Sequence, residues 1–188
     1  MEMLAGARAV VLVEGISDRI ALESLAALRG RDLAAEGVAV LPIGGAQAIG
    51  RVLAELGPRG RNLRLAGLCD AGEERHFARA LERAGLGEQL DRAGMEGLGF
   101  FVCVLNLEDE LIRALGAAGV EEVVAAQGEL ETFRLFQNQP AWRGRSTESQ
   151  LQRWMHNGGR YLRYPPLLVA ALAPDRIPRP LEAVLARV

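Results

Sequence analysis

Runs of apolar residues alternate with amphipathic segments over residues 10–116. Four of these runs predict β-strands, because branched and aromatic side chains pack well on a pleated sheet. The predicted strands span residues 10–13, 38–41, 63–70 and 100–106. Apolar residues that recur at helical spacing predict a helix after each strand. These helices span residues 19–30, 46–56, 72–85 and 107–116.

Strands that alternate with helices, and that are apolar along their length, are typical of βαβ units with a parallel sheet between two helical layers. Beyond residue 119 only short helices are predicted, at residues 120–127, 129–136, 148–155, 167–172 and 181–187. The expected fold is therefore α/β, with a mainly parallel sheet of about four strands flanked by helices. Residues 1–118 are expected to form this domain, and residues 119–188 a helical C-terminal extension packed on it.

The composition is ordinary for a soluble globular protein, with 49% hydrophobic and 24% charged residues in 188. No apolar run approaches the ~20 residues that span a bilayer, so no membrane association is expected. The N-terminus has an acidic residue, Glu2, and no basic region, which is not typical of a signal peptide. Two cysteines without C-x-x-C spacing indicate a reducing compartment and no cysteine metal site. The expected location is the cytoplasm.

Basic residues are distributed unevenly, although the net charge is only −2. All 22 are arginine, so no step can depend on a lysine side chain. Residues 134–164 contain six arginines, two tryptophans and two tyrosines but one acid, Glu148. The arginines are Arg134, Arg143, Arg145, Arg153, Arg160 and Arg163, and the rings belong to Trp142, Trp154, Tyr161 and Tyr164. Such a segment suits phosphates and unstacked bases, but it equally suits a solvated helical face with its aromatic residues in the core.

Acidic residues follow three of the four predicted strands. They are Glu14 and Asp18 after the first strand, Asp70, Glu73 and Glu74 after the third, and Glu108, Asp109 and Glu110 after the fourth. The carboxyl ends of parallel strands meet at one edge of a sheet, so these carboxylates are expected to converge and to repel one another unless a cation lies between them. Carboxylates without His or Cys favour Mg²⁺ or Mn²⁺. Two such ions about 4 Å apart can promote hydrolysis of a phosphodiester.

Acidic residues also occur at helix starts for structural reasons, since they cap the helix and complement its dipole. That explanation suits Glu73, Glu74, Asp109 and Glu110. Glu14 is different because it ends an apolar strand and precedes a glycine. A carboxylate that is partly buried there is costly unless it is paired or binds a metal, so a functional role is favoured for Glu14.

Three acidic motifs resemble those of TOPRIM domains. The stretch "VVLVEGISDRIAL" is similar to the first motif, and its EGxSD form looks most like the TOPRIM domains of OLD-family nucleases. "LAGLCDAGEE" falls where that family has an aspartate pair, and "VLNLEDELI" resembles its third motif. The resemblance covers roughly residues 9–115. The C-terminal third resembles the tail of small TOPRIM proteins that stand alone, without the ATPase domain of OLD proteins.

The resemblance implies a Rossmann-like TOPRIM fold and two-metal cleavage of nucleic acid. The implied metal ligands are Glu14, Asp18, Asp70, Glu73 and Glu108, and the implied catalytic residues are Glu14, Asp70, Glu108 and Arg160. Glu73 is included because Gly72 stands where the family has its second aspartate, so that Glu73 or Glu74 must supply the charge. The family also uses a C-terminal lysine, for which "GGRYLRY" offers only Arg160 or Arg163. Arginine can hold a phosphate but cannot act as a general base.

Three functions are compatible with these motifs. The first is a cytoplasmic endonuclease that uses Mg²⁺ or Mn²⁺ and acts on DNA or RNA, with the arginine-rich segment holding the strand; a protein partner or a homodimer is left open. The second is a TOPRIM protein that has lost catalysis and acts as a nucleic-acid-binding or regulatory module, which Gly72 and the missing lysine favour. The third is a nucleotide-binding protein that uses "PIGGAQAIG". It ranks lowest, because this stretch is no clean GxGxxG and follows the second strand.

Overall fold

A four-stranded, fully parallel sheet forms the centre of the molecule. The computed structural model describes residue 4 and residues 6–188. The strands are β1 (Ala9–Val13), β2 (Val38–Pro42), β3 (Arg64–Cys69) and β4 (Phe100–Val102). They pair in the order β2-β1-β3-β4. The predicted α/β fold with a mainly parallel sheet is confirmed. Because the strands are parallel, the carboxyl ends of all four lie at the same edge of the sheet.

Nine α-helices surround this sheet in the part of the chain that the structure describes. They are α1 (Ile16–Leu28), α2 (Ile49–Leu56), α3 (Glu74–Arg83), α4 (Arg92–Leu98), α5 (Leu107–Ala126), α6 (Leu130–Gln137), α7 (Thr147–Met155), α8 (Arg160–Ala171) and α9 (Arg179–Ala186). Short 3₁₀ turns span Ala46–Ala48, Ala71–Glu73 and Pro174–Arg176. Within the described residues, every helix is too short or too polar to cross a lipid bilayer.

Helices cover both faces of the sheet, because successive strand side chains point to opposite sides. Val11 and Val13 pack in a core with α1 and the helices α5–α9. Val10 and Leu12 pack in a second core with α2, α3 and α4. The C-terminal helices thus share one core with the sheet. The predicted domain boundary after residue 118 falls inside α5, where the backbone kinks at Gly116 (φ 76°), and the division into two domains stays a prediction.

Two elements at the sheet differ from the expectation. Helix α4 was not predicted, because its sequence RAGMEGL contains two glycines, which are poor helix formers. The buried Met95 stabilises this helix. Asp91 caps its N-terminus, and the Asp91 carboxylate accepts a hydrogen bond from Gly94 N at 2.7 Å. Strand β4 ends at Val102 instead of residue 106. Val104 and Leu105 are apolar but 60% and 52% exposed, and they belong to the loop before α5.

Two predictions in the C-terminal third were also wrong in their bounds. The predicted helix at 120–127 is the second half of α5, which continues beyond the kink at Gly116. The helix expected to begin at residue 167 begins seven residues earlier, at Arg160, and contains Pro165 and Pro166. Proline removes a backbone donor and normally interrupts a helix. Here the buried residues of α8, packed against α1 and α5, stabilise the helix despite that loss.

Candidate metal centre

Backbone hydrogen bonds join the connections that follow the strands. The Glu14 side chain, just after β1, accepts a hydrogen bond at Oε1 from the backbone N–H of Asp70, just after β3, at 2.9 Å. Ala71 N donates to Leu105 O, after β4, at 3.3 Å. Gly45 N, after β2, donates to Glu14 O at 3.0 Å. These contacts position the acidic residues of different strands at a single edge, as the parallel topology requires.

The first turn of α1 fixes Asp18. The N-cap of this helix is Gly15. Asp18 is the third helical residue, and its Oδ2 accepts a hydrogen bond from Gly15 N at 2.8 Å. An acid at this position caps the helix from within and complements the positive end of its dipole. Asp18 therefore has a structural role in addition to its place at the sheet edge.

Ion pairs divide the acidic residues of this edge into two groups. Glu74 pairs with Arg92, while Asp109 and Glu110 pair with Arg113 at 2.7 and 2.8 Å. Among the described residues, none of the five predicted ligands pairs with an arginine. These five, Glu14, Asp18, Asp70, Glu73 and Glu108, are called the edge carboxylates below. A structural role therefore accounts for Glu74, Asp109 and Glu110, whereas the edge carboxylates have no paired arginine among the described residues.

Glu108 has the most unusual surroundings of the edge carboxylates. It is the second residue of α5, directly after Leu107, and only 8% exposed. The cap of this helix is Asn106, whose side chain accepts from Asp109 N at 2.9 Å, so Glu108 is not needed as a cap. It makes no hydrogen bond or ion pair with any residue that the structure describes. Buried charges in proteins are normally paired or bound to metal, and Glu108 therefore points to a cation.

The electrostatic environment of Asp18 shows that it lies close to other edge carboxylates. Burial is the main cause that raises the pKa of Asp18 to about 7, and the charges of Glu108 and Glu14 raise it further. The hydrogen bond from Gly15 N acts in the opposite direction, because it stabilises the ionised form. A carboxyl group whose pKa is near 7 binds protons in competition with a metal ion at neutral pH.

Asp70 has the same properties on the neighbouring strand. Burial is again the main cause that raises its pKa to about 7, followed by the charges of Glu14, Asp18, Glu108 and Glu73. Burial also raises the pKa of Glu14, with a smaller contribution from Glu73. The structure thus brings the five edge carboxylates into mutual electrostatic contact, and a cation among them would relieve their repulsion.

The donor set fits a hard divalent cation. All five edge carboxylates offer oxygen atoms, which suit Mg²⁺ or Mn²⁺. Burial, followed by nearby carboxylates, raises the pKa of the Cys69 and Cys103 thiols, so both remain protonated and are poor ligands. Across residue 4 and residues 6–188, no group of three or more His, Cys, Asp or Glu side chains is already arranged to hold a metal ion. Metal binding therefore requires the carboxylates to move closer together.

The predicted catalytic Arg160 lies in a different network. Its guanidinium donates to Glu129 Oε1 at 2.9 Å and covers the ring of Trp154 at 4.0 Å. Arg163 also pairs with Glu129, and Tyr164 Oη donates to Glu129 Oε2 at 2.7 Å. None of the described contacts joins Arg160 or Arg163 to the edge carboxylates. The structure therefore does not bring Arg160 to the predicted ligands, and a catalytic role for it stays a prediction.

Of the four aromatic residues in the arginine-rich segment, two pack in the core and two are at least partly accessible to solvent. Trp154 and Tyr164 are buried in the core, where Trp154 packs edge-on against Phe133 at 5.4 Å. Trp142 is half-buried and Tyr161 is exposed. Gln152 of α7 donates to Asn106 Oδ1 at 3.0 Å beside the site, a polar contact that was not predicted from the sequence. This contact places α7 next to the first turn of α5, which no local pattern in the sequence indicates.

The pKa of Asp18 leads to a prediction for the metal-free protein. A raised folded-state pKa contributes stability that is full below about pH 4 and is lost as the pH rises through about 7. We therefore expect Asp18→Asn to become more stable relative to wild type between pH 5 and pH 8, since asparagine keeps an acceptor for Gly15 N. Melting temperatures in a chelator measure this difference. Asp175→Asn, at an exposed acid in the 174–176 turn, is the control. A pH-independent difference for Asp18→Asn would contradict the prediction.

Comparison with known proteins agrees with this fold. Residues 7–63 match the family model described as "Overcoming lysogenization defect protein-like, TOPRIM domain". The matched region contains Glu14 and Asp18 and ends before Asp70. No curated protein has a significant sequence match to this chain.

Solved structures extend the similarity to nearly the whole chain. A structure of the C-terminal region of the Xanthomonas campestris pv. campestris OLD protein, phased with platinum, has a TM-score of 0.78 at 24% identity and covers 99% of this chain and 94% of that one. The C-terminal region of the Burkholderia pseudomallei OLD protein has a TM-score of 0.75 at 22% identity, with 96% of each chain covered. Residues 7–63 are therefore similar to an OLD-like TOPRIM domain, and the chain has the fold of the C-terminal regions of OLD proteins.

Proposed function

We propose that this protein is a divalent-metal-dependent nuclease that hydrolyses phosphodiester bonds of DNA or RNA. The observation that carries the proposal is the buried Glu108, which has no partner among the described residues and lies close to Asp18 and Asp70. Catalytic sites are places where burial and like charges shift pKa values strongly. The OLD-like TOPRIM domain supports the same conclusion, because such domains generally bind divalent metal ions.

Glu14, Asp70 and Glu108 would hold one ion tightly, with Asp18 and Glu73 left for a weaker second position. When bound, the ions supply an activated water and stabilise the leaving oxygen. The protein contributes orientation. Asp70 N–H holds the Glu14 carboxylate and Gly15 N–H holds that of Asp18, so each acid keeps one oxygen for a ligand. Because Gly72 removes one acid from the family pattern, turnover should be slow and greater with Mn²⁺ than with Mg²⁺, which requires near-ideal octahedral coordination.

A second candidate function is a nucleic-acid-binding or regulatory module without catalysis. Two observations favour it. Gly72 offers no side chain in the second motif, and both Arg160 and Arg163 are neutralised by Glu129. Such a protein would bind nucleic acid without cleaving it. Cytoplasmic location and a protein partner or homodimer remain predictions under either function.

A cleavage assay separates the two functions. End-labelled single-stranded and duplex oligonucleotides of DNA and of RNA are incubated with the protein in Mn²⁺, Mg²⁺ or a chelator. We expect slow cleavage of at least one substrate in Mn²⁺ and none in the chelator. Glu108→Gln, purified in parallel, controls for a contaminating nuclease and should be inactive. Equal cleavage by this variant would contradict the proposal, and binding of nucleic acid without cleavage would establish the second function instead.

A further inference from the structure

A small cavity lies between α7, the connection that precedes it and the start of α5. Its volume is about 380 Å³, which is within the range of about 300–1,000 Å³ that ligand pockets commonly have. The residues that line this cavity, called the α7 cavity below, are Asn106, Trp142, Arg145, Ser149, Gln152, Arg153 and His156. They include two arginines and a histidine but no acid, so the cavity suits an anion.

The α7 cavity lies close to the candidate metal centre. Gln152 donates to Asn106 Oδ1 at 3.0 Å, and Asn106 is the N-cap of α5. Glu108 is the second residue of that helix. Because an α-helix rises about 1.5 Å per residue, the cavity wall at Asn106 and the edge carboxylate at Glu108 are within one turn of each other. The α7 cavity and the candidate metal centre are therefore adjacent along α5.

Ion pairs separate the six arginines of residues 134–164 into two equal sets. Arg134 pairs with Glu121, and Arg160 and Arg163 pair with Glu129. The other three, Arg143, Arg145 and Arg153, make no ion pair with any residue that the structure describes. Arg145 and Arg153 both line the α7 cavity. Two of the three arginines without an ion pair therefore lie at this cavity, whereas Arg160 and Arg163 are neutralised by Glu129.

Arg145 is held in place before any ligand binds. Its guanidinium lies over the Trp142 ring at 5.0 Å, and its Nε donates to Ala141 O at 3.0 Å. Trp142 stacks in turn on Phe136, with ring centroids 5.2 Å apart. A guanidinium with a fixed plane loses little freedom when it binds a phosphate in a bidentate manner. Trp142 is thus already packed against Arg145 and Phe136, so it supports the cation and is not assigned to stack on a base.

We propose that the α7 cavity binds one nucleotide of single-stranded nucleic acid, with its phosphate between Arg145 and Arg153. The choice of a nucleic-acid phosphate rests on the proposed function of the neighbouring metal centre. His156 Nδ1 donates to Gln152 O, 2.8 Å away, which leaves its second ring nitrogen for the ligand. Ser149 and Gln152 add hydroxyl and amide groups. The volume of the cavity is that of one small ligand, which favours an unpaired nucleotide over a duplex, whose bases are paired and stacked.

Binding is tested in a chelator, with fluorescein-labelled oligothymidine of 12 nucleotides and anisotropy as the readout. We expect Arg145→Gln/Arg153→Gln to weaken binding ~10-fold or more and to reduce the slope of log affinity against log salt by about 1–2, because fewer counterions are released. A duplex of the same length should bind more weakly than the single strand. Trp142 and Trp154 are the only tryptophans, and Trp154 is buried, so binding should also change the fluorescence of Trp142.

Arg64→Gln/Arg176→Gln is the matched control, because it removes the same charge at exposed arginines outside the cavity. Its affinity should stay within about two-fold of wild type. Four results would overturn the proposal. The two double variants could lose affinity equally, or the cavity variant could bind as tightly as the wild type. The duplex could bind more tightly than the single strand, or the wild type could fail to bind at all. Because the chelator removes the metal ions that cleavage requires, this assay measures binding alone. Cavity-dependent binding without cleavage refutes only the nuclease, and cleavage with unaltered binding by the cavity variant refutes only the cavity.

Discussion

Asp70→Asn is expected to lower metal-dependent cleavage by ~100-fold or more. The carboxylate of Asp70 is surrounded by the other edge carboxylates and pairs with no arginine among the described residues, so its charge is available to a metal ion. Loss of a ligand that contributes several kcal/mol of transition-state stabilisation corresponds to at least that factor. Asparagine preserves the backbone N–H that holds Glu14. Initial rates in Mn²⁺ at neutral pH measure the effect.

Glu74→Gln is the matched control for Asp70→Asn. Glu74 lies four residues further along the chain, at the start of α3, but it forms an ion pair with Arg92. Exposed ion pairs contribute little to stability, so this variant should fold normally and keep its rate within about two-fold of wild type. Comparable losses in the two variants would mean that the general acidity of this edge matters, and not the position of Asp70. An unchanged rate in Asp70→Asn would exclude Asp70 from the site.

Gly72→Asp is expected to raise cleavage several-fold and to convert a weak second metal position into a tight one. A Cβ atom at Gly72 would meet no heavy atom within 4 Å, and the residue is not among the glycines with a positive φ. The added side chain is therefore tolerated without strain, and it restores the acid that the second motif lacks. The turn that contains it, Ala71–Glu73, directly follows Asp70. Turnover in Mg²⁺ should increase more than turnover in Mn²⁺, because Mg²⁺ depends more on complete coordination.

Gly72→Asn provides the control for Gly72→Asp, because it has nearly the same shape without the charge. It should bind metal and cleave as the wild type does. Two results would contradict the account of the second motif. One is robust wild-type cleavage with two equally tight Mg²⁺ sites, and the other is a well-folded Gly72→Asp protein that binds no additional metal.

The sheet could be predicted from the sequence because its strands are continuous apolar runs, buried on both faces. Helices α4 and α8 could not be placed correctly by local rules. Glycines weaken the helical signal of α4, and Pro165 and Pro166 interrupt that of α8. Both helices are stabilised by tertiary packing of residues such as Met95 and Tyr164, which are buried in the two cores beside the sheet. Propensity is a weak guide where packing decides.

The convergence of the edge carboxylates could also be predicted, because parallel strands bring their carboxyl ends together. The sequence did not indicate which acids are neutralised. Glu74 is paired with Arg92, 18 residues away, and Glu129 pairs with Arg160, 31 residues away. Such pairs form between elements that meet only in the folded chain. For the same reason the arginines with no ion pair could be identified only from the structure.

Calorimetric titration of Mn²⁺ into the wild-type protein and into Glu14→Gln tests whether the edge carboxylates form a divalent-metal site. Glutamine retains the Oε1 acceptor for Asp70 N–H, so the variant removes the charge while preserving the contact that holds this loop. We expect one tight Mn²⁺ site in the wild type at neutral pH and the loss of that site in Glu14→Gln. No Mn²⁺ binding by the wild type, or undiminished binding by Glu14→Gln, would contradict this expectation.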